Sequence, residues 1–298
     1  MNLSTFDLLK NAKPEDGFFL DEEQLARLHA VLTEMLRDIT SLAEENGICL
    51  RLSGGTLLGA LRNGRLIPWD DDADLVIERK DYVRMLTLLR EQRADRYWVH
   101  TPEDTHDYGI MSVRVRDKSA LVRQREDAYS DECGATVDIF PVEDTYDSVI
   151  LRRLQGIACM GAGFLLSCRK FYRDRRQIRQ MLSSSKNGMK VLLIKGGVGF
   201  LISWGSVDFW THFTNRVYTM CHNGTSEYVS IPSGRKHFFG ETYLRRSFFG
   251  KQRIALEGTE FYCTEDIDAY MLALYGAEYM KEPPPERRER HVFLQFKL

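Results

Sequence analysis

The chain has 298 residues, of which 43% are hydrophobic and 28% are charged, so it can bury a large core as one large domain or two small ones. Its 41 Lys and Arg residues nearly balance its 43 Asp and Glu residues, which argues against a chain-wide polyanion binder and against an acidic disordered tail. Six cysteines are scattered without a C-x-x-C pair, so we expect neither a zinc ribbon nor a disulfide framework.

The first residues lack the basic segment and the apolar run of a signal peptide. No uninterrupted run of about 18 apolar residues occurs, so no ordinary transmembrane helix is expected. The nearest candidate, 189–204, is interrupted by two lysines and three glycines, so we expect it to lie on a membrane rather than to span one. These features predict a cytoplasmic protein.

The first predicted element is an amphipathic helix. It begins at Asp21, where Gln24 completes a capping box, and ends at Gly47, with apolar residues at helical spacing between them. A short strand at 48–52 follows, and the sequence Ser-Gly-Gly-Thr at 53–56 breaks it.

Strands and helices then alternate. After a short helix at 57–62, a strand is predicted at 72–77, and the next helix has Val83 on its apolar face. Three further strands are predicted at 110–116, 120–123 and 136–140. The first two of these are expected to form a hairpin, and the third is expected to be the last strand. This order predicts an α/β (α+β) fold, with a sheet flanked by helices.

Composition changes after about residue 145. Residues 151–190 contain ten Lys and Arg residues but one acid, Asp174, which gives this segment a charge of +9 in a chain whose net charge is −2. We therefore divide the chain into a catalytic core at 1–145 and a mainly helical region at 146–298 that completes the same catalytic unit. A helix at 266–274 is predicted near the end of the second region.

The basic segment has three possible roles. A solvated helix face fits it, and so does an attractor for anionic lipid or a lipid-linked phosphosugar, because Phe164, Leu165 and Leu166 interleave with the charges. Nucleic-acid binding fits least, since no recognised module accompanies the segment. We predict no nucleic-acid partner and a possible peripheral contact with an anionic membrane at its inner face.

The densest chemical signal is the sequence Pro-Trp-Asp-Asp-Asp-Ala-Asp at 68–74, where four carboxylates lie within five residues. These charges repel one another unless a cation neutralises them. Asp72 and Asp74 are two residues apart on a strand, so their side chains point the same way and can hold one or two Mg²⁺ ions through oxygen ligands. An acidic, solvated turn is the alternative.

Two other features accompany these acids. Gly54, Gly55 and Thr56 lie between a strand and a short helix, where backbone N–H groups attract phosphate and glycine lets a ligand approach closely; a tight turn alone would also explain them. Asp138 is a lone acid in the apolar strand 136–140, where an unpaired charge is costly. A third metal ligand and a buried salt bridge explain Asp138 equally well.

Together these residues resemble the LicD family, which includes bacterial phosphocholine transferases and is related to the fukutin proteins. The pattern G-T-L-L-G-x-x-R matches 55–62, I-P-W-D-D-D-x-D matches 67–74, and D-I-F-P matches 138–141. Further matches in the tail extend the similarity to about His291. The chain departs from the usual pattern at Ala73, where a larger aliphatic residue is common.

The resemblance implies a nucleotidyltransferase-type mixed sheet with a helical C-terminal extension. It also implies metal-dependent transfer of phosphocholine from CDP-choline to a sugar hydroxyl of a teichoic acid, lipopolysaccharide or capsule precursor. Asp72, Asp74 and Asp138 would hold Mg²⁺, with Mn²⁺ as an alternative, and Asp138 would also act as general base.

By the same resemblance, the glycine segment that includes Gly54, Gly55 and Thr56 would contact the phosphates of the donor. Arg62 would neutralise phosphate or fix the loop. The acceptor would be a lipid-linked or polymeric glycan.

The donor stays open at this point, because choline is recognised by aromatic faces and a polyol by hydroxyl partners. Trp69, Tyr108, Tyr129 and Phe140 are candidates for an aromatic site, but CDP-ribitol and CDP-glycerol are alternative donors. A non-catalytic scaffold at a membrane surface is the alternative from another class of protein.

Overall fold

The computed structural model describes residues 17–298 except 125, 126, 128, 129, 177 and 179–185. Nine α-helices are described: α1 (Glu22–Glu45), α2 (Gly54–Asn63), α3 (Arg79–Gln92), α4 (Val149–Arg173), α5 (Lys186–Leu201), α6 (Val207–Tyr218), α7 (His237–Gly240), α8 (Arg245–Phe248) and α9 (Ile267–Tyr275). A short 3₁₀ helix, Pro285–Arg287, follows α9.

Eleven strands are found in the same described part of the chain: β1 (Arg51–Leu52), β2 (Asp72–Glu78), β3 (Tyr97–His100), β4 (Val113–Asp117), β5 (Leu121–Gln124), β6 (Thr136–Asp144), β7 (Tyr228–Ser230), β8 (Thr242–Leu244), β9 (Arg253–Leu256), β10 (Thr259–Tyr262) and β11 (Phe293–Lys297). Seven of them form the central sheet in the order β1-β2-β6-β4-β3, and β7 and β8 extend it from β6. β2 and β6 are parallel and the other described pairs are antiparallel. The predicted mixed sheet flanked by helices is confirmed.

The predicted capping box of α1 is present. The Asp21 carboxylate accepts a hydrogen bond from the Gln24 N–H (2.8 Å), and the Gln24 side chain accepts one from the Asp21 N–H (3.0 Å). The buried face of α1 includes Leu28, Leu32 and Met35, each with no exposed surface. This face belongs to the main core, which also takes in the apolar residues of β2 and β6.

The predicted hairpin is wrong, although both of its strands exist. β4 lies between β3 and β6 in the central sheet, whereas β5 pairs with β11 at the end of the chain, with Leu121 opposite Lys297. Alternation of apolar residues indicates a strand but not its partner. A partner at least 169 residues away in sequence leaves no local signal.

Two other predictions need correction. The strand predicted at 136–140 continues to Asp144, and five strands follow it. β6 pairs with β4 up to Ile139 and with β7 from Glu143 onward. Pro141 lies between these two residues, where β6 exchanges β4 for β7 as its antiparallel neighbour. Val83, expected on the apolar face of its helix, is 70% exposed, and Tyr82, Met85, Leu86 and Leu89 form that face instead.

Three of the helices after β6, α4 to α6, form a separate layer. α4 packs against α5 and α6, with Cys159 and Leu166 in two small apolar clusters of this layer. Among the described residues, α4 is the one helix that is long and apolar enough to cross a membrane, and 28% of its apolar stretch is buried in the protein. By length and composition, α4 therefore resembles a membrane span more than 189–204 does, which was the nearest candidate in the sequence.

Candidate active site

Parallel pairing of β2 and β6 brings the predicted carboxylates together. Asp72 and Asp74 lie on one face of β2, and Asp74 is in register with Asp138 on β6. Side chains of neighbouring strands in register point to the same face, so all three acids converge. One carboxylate oxygen from each lies within 4.8 Å of the others.

The glycine segment holds Asp74 in place. The Ser53 N–H donates to the Asp74 carbonyl (3.0 Å), and the Asp74 N–H donates to the Thr56 hydroxyl (2.8 Å). The backbone of Gly54 has φ +51°, and a Cβ added there would lie 2.4 Å from Asp74 Oδ2. A Cβ on Gly55 would lie 2.5 Å from Asp70 Oδ2. A side chain at either position would therefore displace a carboxylate, Asp74 at the first and Asp70 at the second.

This segment begins a helix earlier than the sequence indicated. Gly54 and Gly55 form the first turn of α2 rather than a loop before it. The predicted contact of Gly54, Gly55 and Thr56 with donor phosphates stays a prediction, but the structure places all three beside the carboxylate cluster.

The electrostatics of the site favour a bound cation. Burial, followed by the neighbouring Asp71 carboxylate, raises the pKa of Asp72 to about 7. Burial and the charge of Asp72 also raise the pKa of Asp70 and Asp74 well above their usual range. These carboxyl groups are costly to ionise in the protein alone, and a divalent cation would remove that cost.

Oxygen ligands suit this cation. Three convergent carboxylates are the donor set that Mg²⁺ and Mn²⁺ prefer over softer metals. The residues present therefore fit a magnesium or manganese ion held by Asp72, Asp74 and Asp138.

Arg114 is a site residue that the sequence analysis missed. It lies opposite Asp138 in the β4–β6 pair, and its Nε donates to Asp138 Oδ1 (3.2 Å). The alternation Val-Arg-Val-Arg-Asp at 113–117 was the available signal, because it places Arg114 on the opposite face from Val113 and Val115. Asp138 thus combines both of its proposed explanations, a salt bridge and a place in the carboxylate cluster.

Asp71 has a different role from its neighbours. It is 4% exposed, accepts a hydrogen bond from Gln124 Nε2 (2.6 Å), and has His291 Nδ1 2.7 Å from its Oδ1. Gln124 is on β5 and His291 lies just before β11, so Asp71 ties the paired strands of the chain end to the site.

Arg62 lies on α2 and donates hydrogen bonds to the carbonyls of Tyr279 (2.8 Å from Nε) and Lys281 (2.8 Å from Nη2). These contacts join α2 to the segment after α9. They favour the second of its two predicted roles, fixing the local structure.

The candidate aromatic residues separate into distinct environments. Trp69 is 9% exposed, and the guanidinium of Arg288 lies 4.0 Å from the centroid of its ring. Tyr108 donates to the Ser112 carbonyl (3.1 Å), and Phe140 packs against the main core. Tyr129 lies outside the described residues.

Comparison with known proteins identifies relatives that are transferases. Residues 47–153 match the family described as LicD/FKTN/FKRP, nucleotidyltransferase domain. The chain is 24% identical to the lipopolysaccharide cholinephosphotransferase LicD of Haemophilus influenzae over 91% of its own length and 95% of that protein. It is also 46% identical over 50 residues to the human ribitol 5-phosphate transferase FKRP, which covers 17% of this chain and 10% of that protein.

The matched range contains the parallel β2–β6 pair, its three convergent acids and helix α2, which begins with the two glycines. The resemblance seen in the sequence motifs is confirmed: residues 47–153 match the nucleotidyltransferase domain of the LicD family.

Proposed function

We propose that the protein is a metal-dependent phosphotransferase that moves phosphocholine from CDP-choline to a sugar hydroxyl of a cell-surface glycan precursor. The observation that carries the proposal is the convergence of Asp72, Asp74 and Asp138 within 4.8 Å. The similarity to a cholinephosphotransferase along nearly the whole chain supports the transferase class and favours choline.

The residues of the site suggest a division of labour. Asp72, Asp74 and Asp138 would hold Mg²⁺ or Mn²⁺, which when bound neutralises the charge of the diphosphate. Asp138 also accepts the proton of the attacking sugar hydroxyl. The oxygen of that hydroxyl forms a bond to the β-phosphorus, the bond from this phosphorus to the oxygen that bridges it to CMP breaks, and CMP leaves with the electron pair. Arg114 keeps the Asp138 carboxylate oriented through its 3.2 Å contact.

The environment of Trp69 supports a choline donor. Its ring already accepts a cation on one face, the Arg288 guanidinium at 4.0 Å, and the adjacent residue is Asp70 of the carboxylate cluster. A quaternary ammonium group is recognised by the same interaction. Choline would take the place of Arg288, whose side chain is 25% exposed.

A second donor class is favoured by one observation. The 50-residue segment that is 46% identical to a ribitol 5-phosphate transferase points to CDP-ribitol, with CDP-glycerol as its shorter analogue. Both donors would use the same metal site and release the same CMP.

Thermal protection and CMP release with a panel of donors test the proposal. The protein is incubated with Mg²⁺ and with CDP-choline, CDP-ribitol or CDP-glycerol, and the unfolding temperature is recorded for each. We expect CDP-choline to raise it most, and the rise to vanish in EDTA, because a ligand stabilises the state that binds it. A larger rise with CDP-ribitol or CDP-glycerol would assign the donor to the second class. No Mg²⁺-dependent protection by any donor would support a non-catalytic scaffold.

A further inference from the structure

Exposed apolar side chains are concentrated in the helical layer. Of the twenty large apolar side chains that are exposed in the described residues, thirteen lie between 149 and 213. An isolated exposed apolar residue is ordinary, whereas a contiguous set marks an interaction surface.

The clearest part of this set is a stripe on α4. Ile150 is 71% exposed, Leu154 57% and Ile157 62%. Their spacing of four and three residues places them on one face of the helix, and a Cβ on Gly161, the next position of that face, would meet nothing within 4 Å. We call these three side chains the apolar stripe of α4.

The opposite side of α4 is occupied. Gly156 lies against the rings of Phe238 and Phe239, and Cys159 packs with Tyr218 and Phe238. The apolar stripe therefore faces away from the side of α4 that packs against the protein.

A second exposed apolar set follows on α5 and the turn after it. Leu193 is 70% exposed, Phe200 62%, Leu201 73% and Trp204 71%. α5 is fixed to the second half of α4, since the Lys195 ammonium donates to the Ser167 hydroxyl (2.9 Å) and a Cβ on Gly199 would lie 2.3 Å from the Cys168 carbonyl oxygen.

Positive charge accompanies both sets. On α4, Arg153 is exposed and lies three residues after Ile150 and four before Ile157. On α5, Lys190 is exposed and lies three residues before Leu193. Each cation therefore projects beside exposed apolar side chains. The segment 151–190 has ten basic residues and one acid.

From this arrangement we infer that the apolar stripe of α4 and the exposed side chains of α5 dock the protein on the surface of an anionic lipid bilayer. Apolar side chains would enter the interfacial region, with Arg153 and Lys190 against the phosphate groups. Trp204 is of the type that favours the boundary between headgroups and acyl chains.

Charge decides between a bilayer and a second copy of the chain. Self-association through this surface would bring Arg153 and Lys190 of one copy close to the same cations of the other, and like charges facing each other oppose association. An anionic bilayer complements both the charge and the apolar side chains.

The surface also connects with the carboxylate site. At the end of α4, Arg173 Nη1 lies 3.2 Å from the Asp107 carboxylate, and the next residue, Tyr108, packs against His100 with ring centroids 6.2 Å apart. The Tyr108 hydroxyl donates to the Ser112 carbonyl (3.1 Å), and Ser112 directly precedes β4, the strand that carries Arg114. An acceptor held at the bilayer would approach from this side.

Co-sedimentation with vesicles tests the inference directly. The full chain is mixed with vesicles of phosphatidylglycerol and phosphatidylethanolamine, or of phosphatidylcholine alone, and the bound fraction is measured. The decisive variant is Ile150→Gln/Leu154→Gln/Ile157→Gln. The control is Val83→Gln, which removes a 70% exposed apolar side chain from α3 and is far from α4 in sequence.

We expect the wild type and Val83→Gln to bind the anionic vesicles alike. The triple variant should bind at least tenfold more weakly with an unchanged unfolding temperature. Arg153→Gln/Lys190→Gln should weaken binding at low salt by roughly 30-fold, because each of the two cations contributes about 1 kcal/mol near an anionic leaflet and 1.4 kcal/mol is about tenfold. Equal binding by the wild type and the triple variant would overturn the inference. So would a wild-type dimer that the triple variant converts to a monomer without any vesicle binding.

Discussion

Two regions of this molecule differ in which side chains they bury. At the carboxylate site, charged groups are withdrawn from water, and the pKa of Asp72 rises to about 7 as a result. On α4, apolar groups are left in water, and Ile150 is 71% exposed. Each arrangement costs free energy in the isolated chain. We propose that each cost is removed by a specific partner, a divalent cation in the first case and a lipid surface in the second.

The largest effect is expected when Asp138, the proposed proton acceptor, is replaced. Asp138→Asn should lower CMP release by about 100-fold or more and leave the fold intact, because an asparagine oxygen still accepts from Arg114 Nε. Initial rates of CMP release under saturating donor measure the effect.

Asp95→Asn is the matched control, since Asp95 is an exposed acid in a turn outside the site, and its rate should equal that of the wild type. A near-normal rate for Asp138→Asn would remove Asp138 from the proposed mechanism.

The second prediction concerns the glycine that admits Asp74. Gly54→Ala places a Cβ 2.4 Å from Asp74 Oδ2 at a φ of +51°, so the carboxylate must move and activity should fall roughly tenfold or more. Gly64→Ala is the control because Gly64 has φ +66° but no atom within 4 Å of an added Cβ.

Both variants incur backbone strain of about 1–2 kcal/mol, but Gly64→Ala should retain its activity. Rates and unfolding temperatures of the two variants give the comparison. Equal losses of activity would mean that backbone strain, and not contact with Asp74, explains the glycine.

The third prediction concerns Glu241, a buried acid outside the carboxylate site, and its effect on stability. Burial raises the pKa of Glu241 to about 7, while the neighbouring cations Arg235 and Lys236 act in the opposite direction. The folded state therefore keeps this proton up to pH 7, whereas the unfolded chain releases it near pH 4.5. Stability from this group is present below pH 4.5 and is lost as the pH rises through 7.

Glu241→Gln removes the titration. Relative to the wild type, the variant should gain about 2–3 kcal/mol of unfolding free energy between pH 4.5 and pH 8. Denaturant titrations of both proteins at four pH values measure the difference in unfolding free energy. The carboxylate site titrates in both proteins, so its contribution cancels in this difference. A difference that does not vary with pH would show that Glu241 is ionised in the folded protein throughout.

The two regions also differed in how far the sequence predicted them. Part of the site follows from a short-range rule, because alternation along β2 places Asp72 and Asp74 on one face. The start of α1 follows from another, the capping box. Asp138 needed one assumption, that its strand lies beside β2, and the family resemblance supplied it. Arg114 was missed because its place depends on the β4–β6 register, which no local pattern sets.

The pairing of β5 with β11 was missed for the same reason, since the two strands meet through Asp71, His291 and the main core rather than through a turn. For α4, the sequence showed the basic residues but not the exposed apolar stripe. Helical spacing alone does not distinguish an apolar face that points outward from one that points into the core. The packing of Gly156 and Cys159 against residues 218–239 settles that orientation.

The central claim is that Asp72, Asp74 and Asp138 hold a divalent cation, and Mn²⁺ binding followed by electron paramagnetic resonance tests it most directly. The protein is titrated with Mn²⁺ in the presence of CMP, the nucleotide that every CDP-alcohol donor releases, and the signal of free Mn²⁺ is recorded. The wild type and Asp95→Asn should deplete this signal, whereas Asp72→Asn/Asp74→Asn should leave it unchanged. Equal depletion by the wild type and the double variant, or none by the wild type, would contradict the claim.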